Sequence, residues 1–334
     1  MKARITFAAV GIAALLVAAA FADKGQAGRT TQQVAAKAAA TSVNEHAGHG
    51  AEPAAGQTAP APSMKNMPPD EEGAKQRLNT SPRHGELVKV MANGMPVTTW
   101  VVYPERKTKA PVVVVIQEIF GLTDWIRAVA DQLAADGFIA IAPDLLSGHG
   151  PKGGGTEAFA SRDDATKAVR DLSQDEIMAR LDAVREYGLK LPAANGKSAS
   201  IGLCFGGSTS FAYAVHQPAL AAAVVYYGSA PSAPGTPQGS FVPAPSLANT
   251  KAPVLAFYGG SDARINATVP ATEAKMKELG KSYQPNTFEG AGHGFLRAQT
   301  GQDGANMKAT MQAWPKTIGF LRQYTEGNAA SKSR

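Results

Sequence analysis

Cysteine is almost absent from this chain: Cys204 is the only one in 334 residues. A single thiol excludes an intramolecular disulfide, a C-x-x-C redox pair and any metal site built from several thiolates. Charge is sparse too, at 18% Asp, Glu, Lys and Arg with a formal net charge of +6. Without Lys2 and Arg4 the balance drops to about +4, too weak and too scattered for a nucleic-acid surface. Nucleotide motifs are lacking as well. The glycine-rich stretch Gly148-His-Gly-Pro-Lys-Gly-Gly-Gly155 has no G-K-[ST] and does not run from a strand straight into a helix, so it is neither a phosphate loop nor a dinucleotide fingerprint.

Lys2 and Arg4 precede an uncharged run from Ile5 to Ala22, and Ala20-Phe-Ala22 before Asp23 fits the small-x-small rule for signal peptidase. Residues 1–22 read as a secretory signal peptide, and the body is expected in the periplasm or secreted. The alternative is an uncleaved anchor, because the run as a helix would span roughly 27 Å of hydrocarbon. From residue 23 to 80 the chain is rich in Ala, Gly, Pro, Thr and Gln, which reads as a tether or a partly helical, weakly ordered stretch. His46 and His49 within it form an H-x-x-H pair without a strong third ligand, a poor basis for a metal site.

From residue 81 to 327 short apolar runs alternate with helical patterns. Leu87 to Met91 and Thr98 to Tyr103 flank Ala92-Asn-Gly-Met95 and predict an antiparallel hairpin. Val112 to Ile116 is apolar throughout, as a central strand covered on both faces must be. Further strands are predicted at Phe138 to Ala142, Ser198 to Gly202, Ala222 to Tyr227, Val254 to Tyr258 and Tyr283 to Phe288. Helices are predicted at Trp125 to Ala135, Ser173 to Tyr187, Ser208 to Val215, Ala271 to Leu279 and Met307 to Tyr324. The alternation argues one α/β domain, a doubly wound and mostly parallel sheet of about eight strands. Pro231 to Pro245 is read as a long loop, either bordering a pocket at the strand ends or a plain surface insertion. Residues 328–334 read as a disordered tail.

Gly202-Leu-Cys204-Phe-Gly206 places a nucleophile between glycines where a strand turns into a helix, the elbow of serine and cysteine hydrolases. A buried structural cysteine would explain the thiol but not the flanking glycines. The helix N-terminus beneath Cys204 is expected to lower its pKa. An elbow needs an acid and then a base later in the chain. Asp262 follows a predicted strand through Gly259-Gly-Ser, and His293 follows Gly290-Ala-Gly after the last one. Asp262 would orient the imidazole and His293 would take the thiol proton. His84, His149 and His216 compete less well, His216 lying inside a predicted helix and His149 preceding the nucleophile.

Ser81-Pro-Arg-His-Gly-Glu86, Gln117-Glu-Ile-Phe-Gly121, Ala142-Pro-Asp-Leu145, Gly202-Leu-Cys-Phe-Gly-Gly207, Tyr258-Gly-Gly-Ser-Asp262 and Gly292-His-Gly-Phe-Leu-Arg297 together resemble the dienelactone hydrolases, or carboxymethylenebutenolidases, of the α/β-hydrolase fold. The resemblance covers about 240 residues from Ser81 onward. It implies that Glu118 contacts the resting cysteine, and that its movement on substrate binding frees His293 to form the thiolate pair. It implies an oxyanion hole made by the backbone amides of Ile119 and Phe205, and arginines that bind a substrate carboxylate. Arg297 matches one of these, and Arg162 is the candidate for the second. The expected substrate is a small ester or lactone, with a carboxylate of its own if the resemblance extends so far. No metal or organic cofactor and no nucleic acid are expected, no membrane contact unless residues 1–22 stay uncleaved, and a monomer is expected. The expected chemistry is ester or lactone hydrolysis through a Cys-His-Asp triad and a thioester. A non-catalytic hydrolase scaffold that binds an anionic ligand or partner is the rival reading. The export segment, the tether, the Gly148 to Gly155 loop and the 231–245 insertion depart from the family pattern and bear on the substrate.

Overall fold

The computed structural model describes residues 66–326. The expected signal peptide, the His46 and His49 pair and the expected tail at 328–334 lie outside these residues. Eight strands form one sheet: β1 (Gly85–Ala92), β2 (Met95–Val102), β3 (Ala110–Ile116), β4 (Ile139–Pro143), β5 (Ala194–Leu203), β6 (Ala222–Tyr226), β7 (Val254–Gly259) and β8 (Tyr283–Phe288). Their order is β1-β2-β4-β3-β5-β6-β7-β8. Strands β1 and β2 are antiparallel to each other and β2 is antiparallel to β4; the remaining pairs are parallel. This is the α/β-hydrolase fold, with a mostly parallel sheet flanked by helices.

Local chemistry accounts for the elements. Asn93 and Gly94 both have positive φ, +48° and +81°, and join Ala92 to its partner Met95 in the two-residue turn that suits strand twist. Every residue of β3, β4, β6 and β7 is buried, which is why these runs read as continuously apolar rather than alternating. β8 carries Pro285 on the sheet edge, the position that tolerates a residue without an N–H.

The helices are α1 (Ala74–Thr80), α2 (Asp124–Ala135), α3 (Arg162–Asp171), α4 (Gln174–Lys190), α5 (Phe205–His216), α6 (Ala263–Asn266), α7 (Val269–Glu278) and α8 (Ala305–Thr325). One core cluster joins α2 and α8, through Trp125, Ile126, Trp314 and Leu321, to Val113 and Val115. On the opposite face Val114 and Ile116 pack with Val169 of α3, Leu181 of α4, Phe211 of α5 and Met276 of α7. No described helix is long and apolar enough to cross a membrane.

Three findings differ from the sequence expectations. Helices α1, α3 and α6 were not predicted. α3 has a short apolar face, Ala165 and Val169 four residues apart, in a stretch whose polar composition masks it. Helix α5 begins at Phe205, not Ser208, because the elbow cysteine is itself its N-cap. The last part of the expected tether, residues 66–80, is fixed on the domain. Gln299 Nε2 donates to the Pro68 carbonyl at 3.0 Å, Trp125 Nε1 to the Pro69 carbonyl at 3.0 Å, and Arg77 Nη2 to the Met67 carbonyl at 3.0 Å. Met67 and Ala74 are buried against the α2 side of the core. Polar composition hid this strap, because partners far along the chain hold its backbone.

Candidate active site

The predicted site residues come from the carboxyl ends of neighbouring parallel strands, where an open α/β sheet presents its crevice. Cys204 follows β5 with φ +58° and ψ −114°, a strained conformation for a residue with a side chain. Its N–H donates to the Tyr226 carbonyl at 3.1 Å. Close packing forces the flanking glycines. A Cβ on Gly202 would collide with the Gly206 carbonyl, and one on Gly206 with the carbonyls of Ile116 and Gln117. The turn is therefore wedged against the end of β3, which carries Glu118 and Ile119.

Asp262 and His293 meet as expected. His293 Nδ1 lies 2.5 Å from Asp262 Oδ2, while Asp262 Oδ1 accepts the Ile265 N–H at 3.3 Å and caps α6. Their two loops are tied by backbone bonds from Gly260 N to the Phe288 carbonyl, 2.7 Å, and from Ser261 N to the Ala291 carbonyl, 2.9 Å. Gly259 makes this approach possible, since a Cβ there would strike the carbonyls of Ala291 and Gly292. The competing histidines are elsewhere: His149 pairs with Glu176 at 2.7 Å and His216 with Asp182 at 2.8 Å.

The thiol departs from expectation. Burial first, then the charge of Glu118, push the Cys204 pKa up, so the helix N-terminus does not yield a resting thiolate. Partial dipole charges at a helix end are small beside desolvation. The backbone amides of Phe205 and Ile119 act on the same sulfur in the opposite direction, lowering its pKa. Among the described residues, no hydrogen bond joins Cys204 to His293 or Glu118.

Glu118 is also differently engaged. It is 3% exposed, and its close partner is not the thiol but Arg297, whose Nε lies 2.9 Å from Glu118 Oε2. The pairing is one of charge, because the Nε–H direction leaves that nitrogen without an aligned acceptor. Burial outweighs the Arg297 cation and pushes the Glu118 carboxyl up to about 7.

Arg162 and Arg297 come together as the resemblance implied, but around an unexpected residue. Arg297 Nη1 donates to Glu71 Oε2 at 2.6 Å, and Arg162 Nη2 pairs with Glu71 Oε1. Both guanidiniums lie over the Phe120 ring, at 5.5 and 5.1 Å. Burial alone would raise the Glu71 pKa, yet the bonds and charges of the two arginines hold it below the usual carboxylate value.

Sequence reasoning missed Glu71, Tyr227 and Arg264. Tyr227 has φ +42°, packs on the His293 ring at 5.0 Å between centroids, and has a buried hydroxyl without a hydrogen-bond partner. Its position just after a strand beside β5 was the available signal. Arg264 opens α6 behind Asp262, and its charge favours the Cys204 thiolate. The 231–245 insertion closes on itself through Ala233 N to the Val242 carbonyl, 2.7 Å. With α5 it borders a cavity of about 780 Å³, which touches Phe205, Ser208, Ser229 and Pro231. Cys204, Glu118 and His293 do not line that cavity; it lies beside the catalytic cluster, not over it.

A strand-end cysteine between glycines, followed along the chain by an aspartate and a histidine in contact, has the arrangement of α/β-hydrolases. Residues 97–325 match the dienelactone hydrolase family, and the chain belongs to it. Two bacterial relatives named "Putative carboxymethylenebutenolidase" are similar over most of the domain. The one from Methylorubrum extorquens is 30% identical, covering 72% of this chain and 81% of its own. The one from Synechocystis is 31% identical, covering 69% and 93%. The Klebsiella pneumoniae structure described as a "Putative Dienelactone Hydrolase" superposes with a TM-score of 0.62 at 24% identity, over 72% of this chain and 99% of that one.

Proposed function

We propose that this protein hydrolyses a small carboxylic ester or lactone, with Cys204 as nucleophile, His293 as base and Asp262 as its orienting acid. The observation that carries this reading is the strained elbow of Cys204, wedged between Gly202 and Gly206 at the start of α5. The His293 to Asp262 contact of 2.5 Å stands beside it. Family membership and the relatives' carboxymethylenebutenolidase name agree with it.

The chemistry starts from a neutral thiol. A Glu118 carboxyl near 7 is half ionised at neutral pH and so placed to take the thiol proton and pass it toward His293. The sulfur attacks the carbonyl carbon, and the Ile119 and Phe205 N–H groups receive the developing oxyanion. The C–O bond then breaks, the leaving oxygen takes the proton from His293, and a thioester remains. Water attacks that thioester with His293 as base, releasing the acid and restoring the thiol. A thiolate is itself a good leaving group, which favours activated esters and enol-lactones over amides. The features of residues 1–22 support export, placing this chemistry outside the cytosol.

The test is steady-state hydrolysis of p-nitrophenyl acetate and an enol-lactone under reducing conditions. Cys204→Ala is expected to lose roughly 10²-fold or more in kcat/KM, and intact-mass spectrometry of a slowly deacylating reaction should find an acyl adduct on Cys204. Equal rates for both proteins would reject the assignment.

A further inference from the structure

The Arg162 and Arg297 clamp is already filled by the chain itself. Each guanidinium engages a different oxygen of Glu71, and Glu71 N donates to the Arg297 carbonyl at 3.0 Å. The flanking backbone is fixed at Met67, Pro68 and Pro69 by Arg77, Gln299 and Trp125, and at Gly73 by the Asp70 carboxylate, 2.9 Å. These anchors hold the backbone that carries Glu71 beside the two arginines. The clamp lies on Phe120 and reaches Glu118 through Arg297 Nε at 2.9 Å, the carboxyl whose charge acts on Cys204. Its two guanidiniums face the Glu71 carboxylate and a Glu118 carboxyl that is about half ionised at neutral pH. An incoming carboxylate finds little surplus positive charge and competes with a tethered one at high effective concentration.

We propose that Glu71 is a specificity-determining residue, an internal counter-ion that occupies the arginine pair and confines the site to esters and lactones without a carboxylate of their own. The proposal rests on the ester or lactone hydrolase reading above.

The test compares p-nitrophenyl acetate with the p-nitrophenyl monoester of succinate, for the full chain, Glu71→Gln and Glu71→Gln/Arg162→Gln. The wild type is expected to favour the acetate by about 10-fold or more in kcat/KM. Glu71→Gln should move the ratio toward the succinate ester by about 10-fold, chiefly in its KM, and Arg162→Gln should reverse that gain. Titration calorimetry with benzoate gives a readout that needs no turnover: binding to Glu71→Gln and none to wild type is expected. A wild type that prefers the succinate ester, or an unmoved ratio and no gain of benzoate binding in Glu71→Gln, overturns the proposal. Absent or Cys204-independent turnover would instead defeat the hydrolase reading, with benzoate binding still deciding the role of Glu71.

Discussion

Glu118 is the residue whose protonation most directly couples stability to function. Burial raises its carboxyl from 4.5 to about 7, so across that interval the folded chain keeps a proton that the unfolded chain releases. The unfolded state then binds fewer protons, and stability falls as pH rises from about 4.5 to 7, by on the order of 3 kcal/mol. Glu118→Gln removes the titration. Urea unfolding at pH 5, 6, 7 and 8 should therefore show the wild type losing stability relative to the variant as pH rises; a constant difference would refute the coupling. Activity should run the other way, with kcat/KM climbing through pH 7 as Glu118 ionises and that limb disappearing in Glu118→Gln. The placement of Cys204, Asp262 and His293 at strand ends was legible from the sequence because each is marked locally, by glycines and by the end of an apolar run. Glu71 was not, since it lies 226 residues from Arg297 in a stretch that reads as polar tether. The direction of the Cys204 shift was missed for the same reason, because burial and the Glu118 charge exist only once β3 and β5 are adjacent.

At the scale of elements, the elbow is held by backbone contact rather than by side-chain packing. A methyl group at Gly206 would press α5 away from the Ile116 and Gln117 carbonyls, separating the Phe205 amide from the Ile119 amide. Backbone cannot yield as a flexible side chain can. Gly206→Ala is expected to cost about 2–4 kcal/mol of stability and at least about 10²-fold in kcat/KM, the cost of losing an aligned oxyanion donor. Gly319 in α8 serves as the contrast, being exposed with nothing within 4 Å of an added Cβ. Gly319→Ala should stabilise by about 0.5–1 kcal/mol without changing the rate. Equal effects at the two glycines, read by denaturation and initial rates, would show that the elbow is not wedged. The strands were legible because β3, β4, β6 and β7 are wholly buried and therefore apolar end to end. Helix α3 was legible in principle from its capping Ser161 and its i, i+4 pair Ala165 and Val169, but its polar composition hid so short an apolar face.

Taken as a whole molecule, the domain begins before the stretch that resembles its relatives. The family match starts at residue 97 and the motif resemblance at Ser81, yet residues 66–80 supply backbone acceptors to Trp125 and Gln299, buried side chains to the core, and Glu71 to the arginine clamp. A chain starting at residue 81 would leave the Trp125 and Gln299 donors without these partners and expose the surface under Met67 and Ala74. Each broken buried hydrogen bond costs about 1 kcal/mol or more, and the exposed apolar area adds to it, for a total on the order of 3–5 kcal/mol. In a domain of this size each kcal/mol moves the melting temperature by about 2–4 °C, so the loss should be roughly 6–20 °C. A chain starting at residue 66 keeps every one of these contacts and should melt with the full-length protein. Differential scanning calorimetry of the two truncations separates a strap that belongs to the fold from one merely lying on it: equal melting temperatures would place the domain boundary at residue 81 after all.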